Sequence, residues 1–285
     1  MQELSKHVYI ETGYAGVTLG AINWPHGLIL IDAPFRAEDA RSWRSALLNL
    51  GGGVDRILVN LDAHLDRTLG ARAMDSTIVA HEKMADVFRN RPVTFKAQGN
   101  ETGAEWELHN GLGSIRWAIP DITFSDRLYI HWDDSPLLLE YHPGPASGAI
   151  WAILPNEKIA FIGDAVTPNQ PCYLASADIP SWLRALELLL APEYRDYLLV
   201  SGRGGLVAQQ QIRDQIDFLN TVLKEIGELA ARSASPEETN SLVPGLIKRF
   251  RSGEVSTSLH EQRLRNGLKQ YYIRHHRPNS EPIEE

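Results

Sequence analysis

The order of elements predicts a layered α/β protein in which two sheets lie between helices. Three features of the 285-residue chain carry that expectation: β-type runs interleaved with helical patterns at the start, a β-meander in the middle, and purely helical spacing after Arg203. Runs at 7–11, 16–23 and 27–31 read as strands punctuated by Gly13, Gly20 and Pro25, the last run leading into Asp32. A helix is expected over 37–50, rich in helix formers and stopped by glycines at 51–53. Apolar strands follow at 56–60 and 77–80, with a short helix at 82–89. The meander takes in 122–124, 128–132, 137–141, 149–154 and 158–162, before a helix at 179–190 and a strand at 197–200.

Beyond Arg203, Val207, Ile212, Ile216, Leu219, Leu223, Ile226 and Ala230 recur near helical spacing, which predicts one long amphipathic helix. A break at 233–236 precedes two further helical patterns, at 241–250 and 259–273. The expected organisation is a main domain over 1–205 and a helical extension over 206–285 packed on it. The polar, Pro-containing tail after about 277 is expected to be disordered. The extension either covers the sheet or offers a surface for a homodimer. The stretch 93–119 carries no pattern that suggests a role.

Composition narrows the function classes. With 43% hydrophobic and 22% charged residues the chain is an ordinary globular protein. A net charge of −8 argues against a nucleic-acid partner. Residues 1–10 lack the pattern of a signal peptide, and no apolar run approaches the ~18 residues that span a bilayer, so a cytoplasmic protein with no membrane partner is expected. The single cysteine, Cys172, excludes an internal disulfide and a multi-thiolate metal site. No base stands near it in sequence, so a nucleophilic role is not expected.

Chemistry concentrates in Asn60-Leu61-Asp62-Ala63-His64-Leu65-Asp66-Arg67, which follows an apolar strand. In an extended loop Asp62, His64 and Asp66 would point to one side, a plausible divalent-metal set. Taken alone, the cluster reads more readily as a solvated loop. Its setting is similar to the H-x-H-x-D-H loop of the metallo-β-lactamase superfamily, and further landmarks follow in that family's order. The run 28–31 ending in Asp32 resembles its early strand. His142-Pro-Gly-Pro-Ala-Ser147-Gly resembles its next ligand loop, and the run 158–162 ending in Gly163-Asp164 resembles the strand carrying the bridging aspartate. Ser201-Gly202-Arg203-Gly204 resembles its last ligand turn, and 177–182 its helix start. The resemblance spans about 8–205 and implies a four-layer αββα sandwich.

The same resemblance, carried over position by position, places Asp62, His64 and Asp66 in the first loop and Arg67 where a histidine is usual. Ser147 replaces the loop histidine, Asp164 keeps the bridging position, and Arg203 replaces the final histidine. One implied pocket holds Asp62, His64, Ser147 and Asp164; Asp62, His64 and Asp164 are its metal-ligand candidates. The other holds Asp66, Arg67, Arg203 and Asp164, and a guanidinium has no lone pair for a metal. The arginines are instead expected to pair with Asp66 and Asp164 and to supply the positive charge of an absent ion. Three aspartates against two arginines leave one negative charge, so the expected cofactor is none or one weakly held divalent ion, Zn, Mn or Fe. Two readings of function follow. One is a hydrolase-like protein acting on or binding a small ester, thioester or lactone, with Asp66, Arg67 and Arg203 as catalytic residues and His142, Ser147 and Tyr173 facing substrate. The other is a non-catalytic relative that binds an anionic ligand at the arginines or serves as a dimeric scaffold.

Overall fold

A computed structural model describes residues 1–51, 53–92, 94–96, 102–109, 112–250 and 254–277, with side chains from 257 onward in the last stretch. The expected tail beyond 277 and part of the 93–119 stretch lie outside the described residues. The first sheet has seven strands in the order β1 (Gln2–Ser5), β2 (Val8–Glu11), β3 (Leu19–Asn23), β4 (Gly27–Ile31), β5 (Asp55–Val59), β6 (Thr77–His81) and β9 (Ile122–Phe124). Between the last two, β7 (Thr94–Lys96) and β8 (Ser114–Arg116) pair with each other. The second sheet has six strands in sequence order: β10 (Arg127–Ile130), β11 (Leu137–Tyr141), β12 (Ile150–Leu154), β13 (Ile159–Gly163), β14 (Leu198–Ser201) and β15 (Gly205–Val207). Among the described residues, parallel pairing is confined to β4–β5–β6–β9 and to β13–β14.

Alternation along the strands explains the layers. In β4, Ile29 and Ile31 face the second sheet and join Ala152, Leu154 and Phe161 in a shared core. Leu28 and Leu30 face the other way, onto Ala40, Trp43 and Leu47 of α1 (Ala37–Leu47). Both faces of the strand are therefore covered, which is why it reads as a continuous apolar run. In the second sheet, Trp151 and Ile153 turn outward to meet α4 (Ile179–Leu189), α5 (Gln209–Ala231) and α7 (Glu254–His276). Four layers result: α1, sheet, sheet, and the α4–α5–α7 group. The remaining helices are short, α2 (Leu65–Thr68), α3 (Glu82–Asn90) and α6 (Val243–Leu246). No helix among the described residues is long and apolar enough to cross a membrane.

Several expectations shift. The expected helix at 37–50 ends its α-turns at Leu47 and tightens into a 3₁₀ turn, Leu48–Leu50. Val207 belongs to β15 rather than to the long helix, so the second sheet crosses the expected 205/206 boundary. The pattern at 241–250 is not one helix. It breaks into 3₁₀ turns on either side of α6, where Pro244 is accommodated in the first turn.

Candidate functional site

The carboxyl ends of β4, β5, β13 and β14 deliver charged groups to one place. Asp32 follows β4 with φ of +59°, a conformation aspartate tolerates better than most residues, and accepts the Leu61 N–H at 3.0 Å. After β5 the chain does not stay extended. Residues Leu65–Thr68 form the helical turn α2, capped by His64. Asp66 and Arg67 therefore point about 100° apart. This corrects the expected geometry, in which Asp62, His64 and Asp66 alternate to one side of an extended loop; the arginines do lie against Asp66 and Asp164.

Arg67 faces Asp32, Asp62 and Asp164. Its Nη1 donates to Asp32 at 3.3 Å, its Nη2 donates to Asp164, and its Nε lies 3.3 Å from Asp62 in charge contact without hydrogen-bond alignment. A Cβ at residue 202 would lie 2.6 Å from Arg67 Nη1, so this guanidinium needs Gly202 beside it. Arg203 faces the other half of the site. Its Nε donates to Asp164 at 3.1 Å and its Nη1 to Asp66 at 2.9 Å and the Gly16 carbonyl at 2.8 Å. Its Nη2 lies 2.7 Å from His64 Nδ1. The side chains of Asp66 and Arg67 are 0% exposed and that of Arg203 is 2% exposed, so the pairs form away from water.

Two groups that the sequence did not suggest complete the cluster. Glu105, from the uninterpreted stretch, lies 3.4 Å from Arg203 and 2.9 Å from Arg263 of α7. The neighbouring Trp106 N–H donates to Asp66 at 2.9 Å. Arg263 also donates to the carbonyls of Gly103 and Pro171 at 2.9 and 3.0 Å. Tyr173 lies between the two guanidinium groups, 4.7 Å below Arg203 and 4.2 Å below Arg263, with its hydroxyl donating to Glu105 at 3.2 Å. Neither Glu105 nor Arg263 belongs to a motif. Only the helical spacing around a charged residue at 263 could have drawn notice.

Electrostatics follow from burial against pairing. Burial pushes the Asp32 carboxyl up to about 7 despite Arg67, and Asp66 up to about 6 despite Arg203. Burial raises Asp62 as well. Asp164 goes the other way: burial opposes its charge, but Arg203 and Arg67 together outweigh burial and hold it well below the usual carboxylate range. Glu105 is likewise lowered, since Arg263 and Arg203 overcome its burial. Burial, reinforced by Arg203, drives His64 well below its ordinary value and leaves the ring neutral. A guanidinium can only donate, so Nδ1 of that neutral ring accepts and the proton sits on Nε2. His64 is 20% exposed, and its ring lies 4.0 Å from that of Tyr173.

Other residues singled out by sequence lie elsewhere. His142 stacks on Trp151 at 3.6 Å and lies 3.3 Å from Glu140, apart from the cluster. Ser147 is exposed on a turn, its carbonyl accepting the Tyr141 hydroxyl at 3.0 Å. Cys172 is buried, and burial pushes its thiol up to about 12, which suits a packed rather than a nucleophilic group. Asp62, His64 and Asp164 stand around the arginines rather than around an open cavity. A divalent ion does not fit this donor set, because the guanidinium groups of Arg67 and Arg203 already hold both oxygens of Asp164. Among the described residues, no group of three or more His, Cys, Asp or Glu is arranged to hold a metal ion.

No protein-family model matches the chain, and no curated protein is similar to it at a significant level. Solved structures are similar. A metallo-β-lactamase from Pontibacter korlensis superposes with a TM-score of 0.61 at 20% identity, over 77% of this chain and 97% of its own. A metallo-β-lactamase family protein from Thermus thermophilus gives 0.65 at 17% identity, over 95% and 94%. The inverting sec-alkylsulfatase Pisa1 from Pseudomonas sp. gives 0.69 at 16% identity over 99% of this chain, which spans 52% of that longer protein. Likeness over 95% and 99% of the chain takes in the C-terminal helices as well as the sheets, and the chain therefore has the metallo-β-lactamase fold.

Proposed function

We propose that this chain is a metal-independent protein of the hydrolase-like metallo-β-lactamase fold that binds a small carbonyl compound without hydrolysing it. The observation that carries the proposal is the clasp of Arg67 and Arg203 on the buried Asp164. In this reading the arginines stand where the fold's ions would otherwise supply positive charge, and Asp62, Asp66 and Asp164 are their counterions. Every guanidinium nitrogen of Arg203 already has an acceptor. The proposal therefore sets aside an anionic ligand held at the arginines, and an oxyanion role for them. The donor left over is the Nε2–H of the partly exposed His64, which would suit the carbonyl oxygen of an ester, thioester or lactone. With its proton already on Nε2, the ring is not placed to act there as a general base.

Two of the similar structures, a metallo-β-lactamase and an alkylsulfatase, favour a second reading, a hydrolase using one ion. There Asp62, His64 and Asp164 would hold the ion, and Asp66, Arg67 and Arg203 would surround the reacting group. That reading needs both arginines to release Asp164. Elemental analysis of protein purified without chelator, followed by calorimetric zinc titration, separates the two. The proposal expects no stoichiometric metal and no zinc-dependent rise in melting temperature. One tightly bound zinc per chain, lost on Asp164→Asn, would overturn it.

A further inference from the structure

At the opposite end of the parallel strands, where β5 and β6 begin, the surface opens into a groove of about 1150 Å³. Arg56, Arg72, Arg89, Arg91 and Arg116 line it. Three aspartates also line it, so the groove carries five positive against three negative groups, a balance of plus two on a chain of net charge −8. The aspartates are engaged elsewhere. Asp121 accepts the Ile78 N–H at 2.8 Å, Asp75 takes Arg44 at 3.3 Å, and Asp55 lies 3.2 Å from His26.

Arg89 is paired with Asp86 at 3.0 Å, whereas Arg56, Arg72 and Arg116 are not neutralised in this way among the described residues. Arg56 donates to the carbonyls of Gly53 and Asp55 at 2.6 and 2.8 Å, bonds that fix its position and leave its charge intact. Arg91 is steadied against Trp117 at 5.0 Å and Phe88 at 5.5 Å. Among the described residues no carboxylate lies within ion-pair distance of Arg56, Arg72 or Arg116. Like charges gathered in a concavity, with aromatic walls of low dielectric, focus a positive potential that an anion would relieve. Planar guanidinium forks fit the tetrahedral oxygens of phosphate in bidentate pairs. The groove has the size of a small-molecule site rather than of an extended nucleic-acid track.

We propose that this groove binds a small molecule carrying two or more phosphate groups, held by Arg56, Arg72 and Arg116 and apart from the buried cluster. The shared chemistry is a linked diphosphate, whether free or part of an organic compound. Calorimetry of the full chain with pyrophosphate, with adenosine diphosphate and with monophosphate tests this at low and moderate salt. Saturable one-to-one binding of pyrophosphate is expected, with monophosphate on the order of tenfold weaker. Raising the salt should weaken it further. Tighter binding of adenosine diphosphate would place an organic group against the Trp117 wall; equal binding would assign recognition to the phosphates alone, and both support the site. The exposed pair Arg72→Ala with Arg116→Ala should lower affinity at least as much as the loss of one phosphate. The pair Arg195→Ala with Arg213→Ala, equal in charge and distant, should not. Failure of pyrophosphate to bind, equal weakening by both pairs, or a tighter, variant-sensitive hold on a single-stranded oligonucleotide would each overturn the proposal.

Discussion

Arg67 touches three carboxylates, and among the described residues no other side chain forms an ion pair with Asp32 or Asp62. Substituting leucine would keep much of the volume but leave Asp32 and Asp62 without a partner and the Asp164 charge to Arg203 alone, a loss of about 3–5 kcal/mol for a broken buried network. Urea denaturation of Arg67→Leu should show it; a change below about 1 kcal/mol would mean water reaches the site. Arg203→His should also destabilise, because imidazole cannot serve Asp66, Asp164 and Glu105 together, and zinc should still not bind while Arg67 holds Asp164. Calorimetry of that variant with zinc checks the second half. Asp32 contributes to the pH response. Its carboxyl is raised from an ordinary value near 3.8 to about 7, so the folded chain keeps a proton that the unfolded chain has released. Folding thus takes up a proton between those values, and the contribution of Asp32 to stability declines as pH rises through that window. Asp32→Asn should flatten this part of the stability profile between about pH 4 and 7. An unchanged slope would show that Asp32 is ionised in the folded protein.

Helix α7 is built into the site as well as into the core. Leu264, Leu268, Tyr271 and Tyr272 pack with the outer face of the second sheet, and Arg263 crosses to Glu105. Arg263→Ala should leave Glu105 beside Asp66 with Arg203 alone to balance both. Amides of the 3₁₀ turn Glu105–Leu108 should then exchange faster, while β4 and β5 keep their protection; uniform protection would refute the coupling. Truncation after Ser233 removes the same anchor and exposes apolar surface. A fall in melting temperature is expected, and an unchanged elution volume would go against a dimer formed through α7. Elements of this kind were legible to different degrees. The strands 27–31, 122–124 and 137–141 match their expected bounds because apolar runs between breakers leave little choice. The helical turn α2 was not legible, since four residues are too few to show a period.

Across the whole molecule, the apolar pattern specified the layers and left the pairing of charges open. Arg67 and Arg203 could be placed near the aspartates from their motif positions. Which carboxylate each meets depends on a backbone turn of about 100° and on groups remote in sequence. Glu105 stands 98 residues from Arg203, and Arg263 stands 158 from Glu105. Such contacts carry no local signature. Because one apolar cluster joins the second sheet to α4, α5 and α7, heat should unfold main domain and extension in a single calorimetric transition. Two resolved transitions would mean that the extension is an independent unit. The arginine clasp has a further consequence for how the protein meets changing surroundings. A coordinated ion is shared with the solution: chelators remove it, competing metals exchange with it, and its occupancy follows supply. A guanidinium tethered by its own backbone has a local concentration that no external pool can alter. Under the proposed reading, a fold that elsewhere takes its central charge on loan here carries it in its own polypeptide, so its integrity should be the same in metal-starved and metal-replete conditions.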